Sequence, residues 1–170
     1  MKLTKLTRKL MLEKAGINPS KAPIAGGGVD KWTPVMILSG AQSVDKSHLV
    51  KSIAENVDDP KKRSFYLQMV DALFRAVTLD DFSQFFNGSV VIYKVAHSFK
   101  YKGKTESLYE LKKGKKDRIY VYPYNGKCGR FIFVLEALHK DQQNTPPEIK
   151  AYAEHTIKSI LDTKLMAPVN

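Results

Sequence analysis

The chain has 170 residues, of which 43% are hydrophobic, enough for one domain with a core, and this composition argues against wholesale disorder. Its formal net charge of +11 points to a polyanionic partner, with RNA, DNA, a ribosome and an anionic membrane surface all fitting charge alone. No apolar run approaches the roughly 18 residues that span a bilayer. The single cysteine, Cys128, excludes an internal disulfide and a thiolate cluster.

The N-terminal stretch Thr4 to Ala15 carries Leu6, Leu10 and Leu12, with Leu3 just before it, near helical spacing, and basic residues between them. It predicts a helix ending at Gly16. Two uses fit it: a basic arm lying on RNA or a membrane, or a leucine stripe packed on the fold. It is a poor signal peptide, because no apolar segment follows the charges. The proline- and glycine-rich stretch Pro19 to Asp30 predicts a linker or loop. Val35 to Leu38 is short and apolar and can form a strand. Asp45 to Asn56 and Pro60 to Val77 predict two helices, the first capped by Ser43 or Asp45 and the second started by Asp59 and Pro60. The second helix has Phe65, Met69, Ala72, Leu73 and Ala76 on one face.

The segment Met36 to Ser47 superficially has the form of a phosphate-binding loop after a strand. Such a loop needs glycine directly before its Lys-Ser pair so that backbone amides can wrap phosphate, and Asp45 stands there instead. Nucleotide hydrolysis is set aside on that ground.

From Gly88 the periodicity changes to two. Ser89–Phe99, Ser107–Lys112, Arg118–Tyr124 and Arg130–Ala137 predict four strands joined by short polar turns, an arrangement that favours antiparallel pairing. A helix follows from about Pro146 to Asp162, and Met166 to Asn170 is expected to fray. The predicted fold is therefore α+β: a helical N-terminal region over residues 1–85, then a four-stranded, mainly antiparallel sheet and a C-terminal helix over residues 86–165. Ile119, Val121, Phe131, Phe133, Leu135, Ile149 and Ile157 are its expected core.

The predicted sheet is dense in cations and rings. Lys112, Lys113, Lys115, Lys116, Arg118 and Arg130 lie among Tyr109, Tyr120, Tyr122, Tyr124 and Phe131, a pairing of phosphate-neutralising and base-stacking groups suited to single-stranded RNA. Strand alternation sends Ile119, Val121 and Pro123 to one face and Arg118, Tyr120, Tyr122 and Tyr124 to the other. The first face is expected to pack on helices and the second to be open to a ligand.

Two stretches carry a family resemblance. Glu110-Leu111-Lys112 precedes Asp117-Arg118, and the strand end runs Glu136-Ala137-Leu138-His139-Lys140-Asp141-Gln142-Gln143-Asn144-Thr145-Pro146. They resemble the RelE/HigB-like toxins, in the phage-type HigB branch, whose signatures are Glu-Leu-Arg before a Tyr-Arg strand and a Lys-Lys-Thr-Gln-Lys-Thr-Pro run. Arg118, Lys140, Gln143, Thr145 and Pro146 match, as does Ala153 seven residues beyond the proline. Glu136, Asp117, Asp141 and Asn144 depart, standing where the family has histidine, an aromatic residue and two lysines.

The resemblance implies an endoribonuclease of the RelE-like fold that cuts mRNA at the ribosome, needs no cofactor or metal, acts in the cytoplasm of a bacterial or phage-infected cell, and has an antitoxin or host protein as a further partner but no membrane. Arg118 and Arg130 would hold the phosphate, Lys112 or Lys140 would carry a proton or stabilise charge, and His139 would be a reserve acid. Lys113, Lys115, Lys116, Tyr120 and Tyr122 would bind RNA. The replacement of lysine by Asp141 swings the local charge by two, so a non-catalytic binder of RNA, ribosome or host protein on the same scaffold stands as the alternative. Residues 1–85 have no counterpart and fit a lid, a partner-binding element or a built-in inhibitor.

Overall fold

A computed structural model describes residues 1–21, 28–141 and 143–163. The central part of the predicted linker, residues 22–27, the junction residue Gln142 and the predicted tail lie outside the described residues. The elements run β1 (Lys2–Lys5), α1 (Arg8–Lys14), β2 (Thr33–Leu38), α2 (His48–Asn56), α3 (Pro60–Ala76), β3 (Ile92–Tyr101), β4 (Lys104–Lys113), β5 (Asp117–Gly126), β6 (Gly129–His139) and α4 (Pro147–Asp162). No helix among the described residues is long and apolar enough to cross a membrane.

The six strands form one sheet in the order β1-β2-β6-β5-β4-β3. Strands β3 to β6 pair antiparallel as a meander, but β2 pairs parallel with β6 and antiparallel with β1. The predicted four-stranded, mainly antiparallel sheet after a mainly helical N-terminal region is thus corrected to a six-stranded mixed sheet with four α-helices among the described residues; the apolar run Val35–Leu38 is a strand as expected, and β1 is the strand that was not expected.

Local chemistry explains the difference. The residues before Thr7 are extended, and the Thr7 hydroxyl accepts from the Leu10 N–H, so the helix begins only there. Leu3 and Leu6 therefore belong to a strand and its exit rather than to a helical stripe. In β2 the apolar run Pro34-Val35-Met36 is buried, as suits an inner strand covered on both faces.

Helices cover both faces of the sheet. On one side Met11, Leu12, Ile53, Met69 and Leu73 of α1–α3 pack with Leu111, Ile119, Val121, Ile132 and Val134. On the other, Ile149, Ala153, Ile157 and Ile160 of α4 pack with Leu108, Tyr120, Tyr122, Phe133 and Leu135. The seven predicted core residues are all buried. The face expected to stand open is instead occupied, because α4 has an apolar stripe of its own to bury and lies on the tyrosines.

Two helix starts refine the sequence expectation. Asp59 caps α3 by accepting from the Lys62 N–H at 2.8 Å, with Pro60 in the first turn. The cap of α2 is Ser47, not Ser43 or Asp45, and it accepts from the Val50 N–H at 3.2 Å.

Helix α2 also completes the sheet. Strand β2 pairs with β6 only as far as Phe133, so the rest of that β6 edge needs other partners. Ser52 Oγ accepts from the Ala137 N–H at 2.9 Å and Asn56 Oδ1 from the His139 N–H at 3.1 Å. Two side chains one helical turn apart stand in for a missing strand. Replacing Ser52 with Ala leaves a buried N–H without its acceptor and should cost about 1–3 kcal/mol. Urea unfolding together with amide exchange at Ala137 checks this; unchanged stability and protection would contradict it.

Candidate nucleic-acid interface

The strand register gathers charge at one end of the sheet. Lys112 lies opposite Arg118, and Glu110 lies between Lys94 and Tyr120. Strand alternation keeps Glu110, Lys112 and Arg118 on the α4 side, beyond the apolar contacts of that helix. Glu110 and Arg118 are only 2% and 3% exposed. Their Nε and Oε2 atoms face one another at 3.2 Å as an ion pair without the alignment of a hydrogen bond. Lys94 Nζ approaches the other Glu110 oxygen at 3.5 Å.

Arg118 is also the pin of the β4–β5 turn. Its Nη1 donates to the Asp117 carbonyl at 2.9 Å and its Nη2 to the Lys115 carbonyl at 3.0 Å. The Lys140 N–H adds a bond to the Lys116 carbonyl at 2.9 Å, fastening the end of β6 to the same turn. Gly114 is required in it: φ is +65°, and a Cβ would meet the Phe65 ring at 2.8 Å.

Around this frame lies a concavity of about 320 Å³ lined by Lys94, Lys112, Lys115, Lys116, Arg118 and Lys140 and also by Asp141 and Gln143. Lys140 is buried, and its ammonium donates to the Gln143 carbonyl at 2.7 Å. Burial lowers the pKa of Lys140, with the Arg118, Lys94 and Lys112 charges acting in the same direction and Glu110 opposing them. Lys112 is lowered by burial, then by Arg118 and Lys94. Like charges held together at a partly desolvated surface repel, and an arriving anion relieves that repulsion. Asp141 partly offsets the field, pairing with Lys116 at 3.0 Å, and Lys116 in turn holds its carboxyl below the ordinary range.

The turn has a second side. A concavity of about 530 Å³ is lined there by residues of α3 (Lys61, Lys62 and Phe65), by Lys115 and Lys116, and by Asp117 and His139. Asp117 and His139 are partners in the β5–β6 register, and His139 Nδ1 lies 3.1 Å from Asp117 Oδ1. The buried carboxylate favours a proton on Nδ1, which leaves Nε2 as the nitrogen able to exchange one. Lys62 is occupied by Asp58 at 2.8 Å and Asp59 at 3.6 Å and Lys116 is shared with Asp141, so Lys61 and Lys115 are the cations there without a carboxylate partner among the described residues.

The predicted site residues thus separate. Lys112, Arg118 and Lys140 come together in the smaller concavity, Lys115 and Lys116 line both, and His139 lines the larger. Lys113 lies with its ammonium 5.7 Å from the Phe65 ring centre. Arg130 is elsewhere, 3.3 Å from Asp80 and over the Trp32 ring at 5.5 Å, so it does not share a phosphate with Arg118.

Tyr120 and Tyr122 are in the core under α4, where burial pushes both phenols up and the Tyr122 hydroxyl donates to Glu106 at 2.8 Å. Their expected role in stacking on bases is corrected: neither ring has an open face. Arg118 likewise has its N–H groups turned to Glu110 and the turn carbonyls.

Glu110, Asp117, Lys94 and Phe65 were not singled out by the sequence as site residues. Alternation in β4 does place Glu110 on the face of Lys112, a usable signal. The Asp117–His139 pair depends on a register between strands that only the fold supplies.

Comparison with protein-family models, curated proteins and solved structures returns no match for this chain.

Replacing Glu110 with Ala leaves the Arg118 guanidinium buried without its carboxylate, a change that should cost about 3–5 kcal/mol. Chemical unfolding measures the loss. A variant within a few tenths of a kcal/mol of the parent would show that the pair does not hold the turn.

Proposed function

We propose that this chain is an endoribonuclease of the RelE/HigB-like kind, directed at mRNA with the ribosome as its setting, in the cytoplasm of a bacterial or phage-infected cell. The observation that carries this reading is that one pinned turn, Lys115-Lys116, borders both a cluster of partly desolvated cations and an Asp117–His139 pair. Phosphate-neutralising charge and a proton-exchanging group are the two requirements of cleavage by a ribose 2′-hydroxyl.

In this reading Lys115 and Lys116 take the scissile phosphate while Lys112 and Lys140 take a neighbouring one. His139 Nε2 accepts the 2′-hydroxyl proton and the 2′ oxygen attacks phosphorus. The bond to the 5′ oxygen breaks, and that oxygen takes a proton from an ammonium of the turn, leaving a 2′,3′-cyclic phosphate and a 5′-hydroxyl end. Asp117 keeps the imidazole in the tautomer that can accept. Arg118 acts through the turn rather than on the phosphate.

A second reading, a non-catalytic protein that occupies RNA, a ribosome or a host protein, is favoured by one observation. Asp141 pairs with Lys116 in the lining of the site and places a carboxylate where the phosphate would approach. An antitoxin-like partner fits either reading.

The test compares the purified chain with His139→Gln on end-labelled single-stranded RNA. The variant should keep its affinity and lose roughly 10²–10⁴-fold in cleavage rate. RNA binding that weakens with salt but yields no 5′-hydroxyl ends would establish the second reading. Absence of binding at low salt would remove both.

A further inference from the structure

We infer that Phe65, on the first turns of α3, seats a nucleobase of the bound strand beside the His139 site. This deepens the RNA reading above and rests on it. In α3 the residues Tyr66, Met69, Val70 and Leu73 enter the core, whereas Phe65 is half-buried and stands outside the core clusters, on the wall of the larger concavity. An aromatic ring left on a cavity wall among charged side chains loses the burial that normally places phenylalanine.

The backbone is shaped to this ring. Gly114 approaches it so closely that a Cβ would come within 2.8 Å of Cε2, so the β4–β5 turn holds the ring edge. Lys61 and Lys113 bring their ammonium groups to 5.9 and 5.7 Å from the ring centre, and His139 and Lys115 complete the same wall. Both ammonium groups sit over the ring, and their flexible side chains can swing onto the phosphates of a strand whose base takes the ring face, so ring and cations together match a base and its adjoining phosphates. The volume, about 530 Å³, falls in the range that encloses a small ligand and has room for a nucleoside. Asp59 lies on the same wall, but its carboxylate caps α3 and is shared with Lys62, so it does not face the ligand as a lone anion.

The role left vacant by Tyr120 and Tyr122 thus passes to a ring from the N-terminal half of the chain. Base stacking is sequence-tolerant, so the seat recognises the presence of a base more than its identity.

The experiment measures affinity for a uridine hexanucleotide and for a hexamer of the same length lacking its bases, using the full chain, Phe65→Leu, Phe65→Trp and Lys115→Ala. The parent should prefer the base-bearing strand by roughly ten- to a hundredfold. Phe65→Leu should lose that preference while binding the abasic strand like the parent, and Phe65→Trp should keep it. Lys115→Ala should weaken both strands alike. A Phe65→Leu protein that still discriminates as the parent does would overturn the seat. Equal binding of both strands by the parent would also overturn it while leaving the phosphate site intact. Failure of the parent to bind either strand would remove the RNA reading and the seat together.

Discussion

The ion pair of Glu110 and Arg118, buried where β4 and β5 meet, is the constraint on which the rest of the site depends. Desolvating two charges is costly, and the mutual attraction offsets that cost only when the remaining polar atoms are also placed. Here the guanidinium meets that condition by donating to two carbonyls of the adjoining turn. The pair therefore fixes backbone as well as charge. With Arg118 committed in this way, the cations left to face the concavity are Lys115 of the turn and Lys112 beside it, while Lys140 donates to the Gln143 carbonyl and Lys116 pairs with Asp141. An arginine that looks from sequence like a phosphate ligand is a structural group that aims lysines.

The same turn joins the two halves of the chain. Helix α3 reaches it through Phe65 against Gly114, and β6 reaches it through the Lys140 N–H. Residues 1–85 contribute β1 and β2 to the sheet and α1–α3 to one of its faces, so they share a core with the strands that carry the cations. Helix α2 closes the exposed stretch of the β6 edge with Ser52 and Asn56, which steadies the strand ending in His139. The position of the histidine is thus set from both sides, by Asn56 at its backbone and by Asp117 at its ring.

Much of this is legible in the sequence itself. The period-two pattern after Gly88 places β3–β6 within a few residues, the Asp59-Pro60 signal starts α3, and the apolar positions of β5, β6 and α4 are the buried ones. What was hidden is of two kinds. A four-residue strand whose one leucine, Leu3, falls near helical spacing with Leu6 and Leu10 beyond it cannot be told from a helix by periodicity, and only the Thr7 cap marks the boundary. Alternation also says which side chains share a face but not whether the face is covered. Tyr120 and Tyr122 do share one side of the sheet, but α4 covers that side. Pairings across strands, such as Asp117 with His139, follow from register, which no local pattern fixes.

Burial and mutual repulsion hold Lys112 and Lys140 beside this turn away from their charged state, and an anion bound there would relieve that cost. Lys112 and Lys140 have lowered pKa values in the free protein, so part of their population loses its proton as pH rises toward the ordinary lysine value of 10.5. A bound phosphate favours the charged form and raises both values again, so binding at a pH below 10.5 where part of that population has lost its proton must draw protons from solution. Calorimetric titration with a short RNA, repeated in buffers of different ionisation enthalpy, measures that uptake directly. The account predicts net proton uptake at alkaline pH, little near neutrality, and loss of the alkaline uptake when Lys112 and Lys140 are both replaced by Met. RNA binding with no alkaline proton uptake, or uptake that survives both replacements, would contradict it.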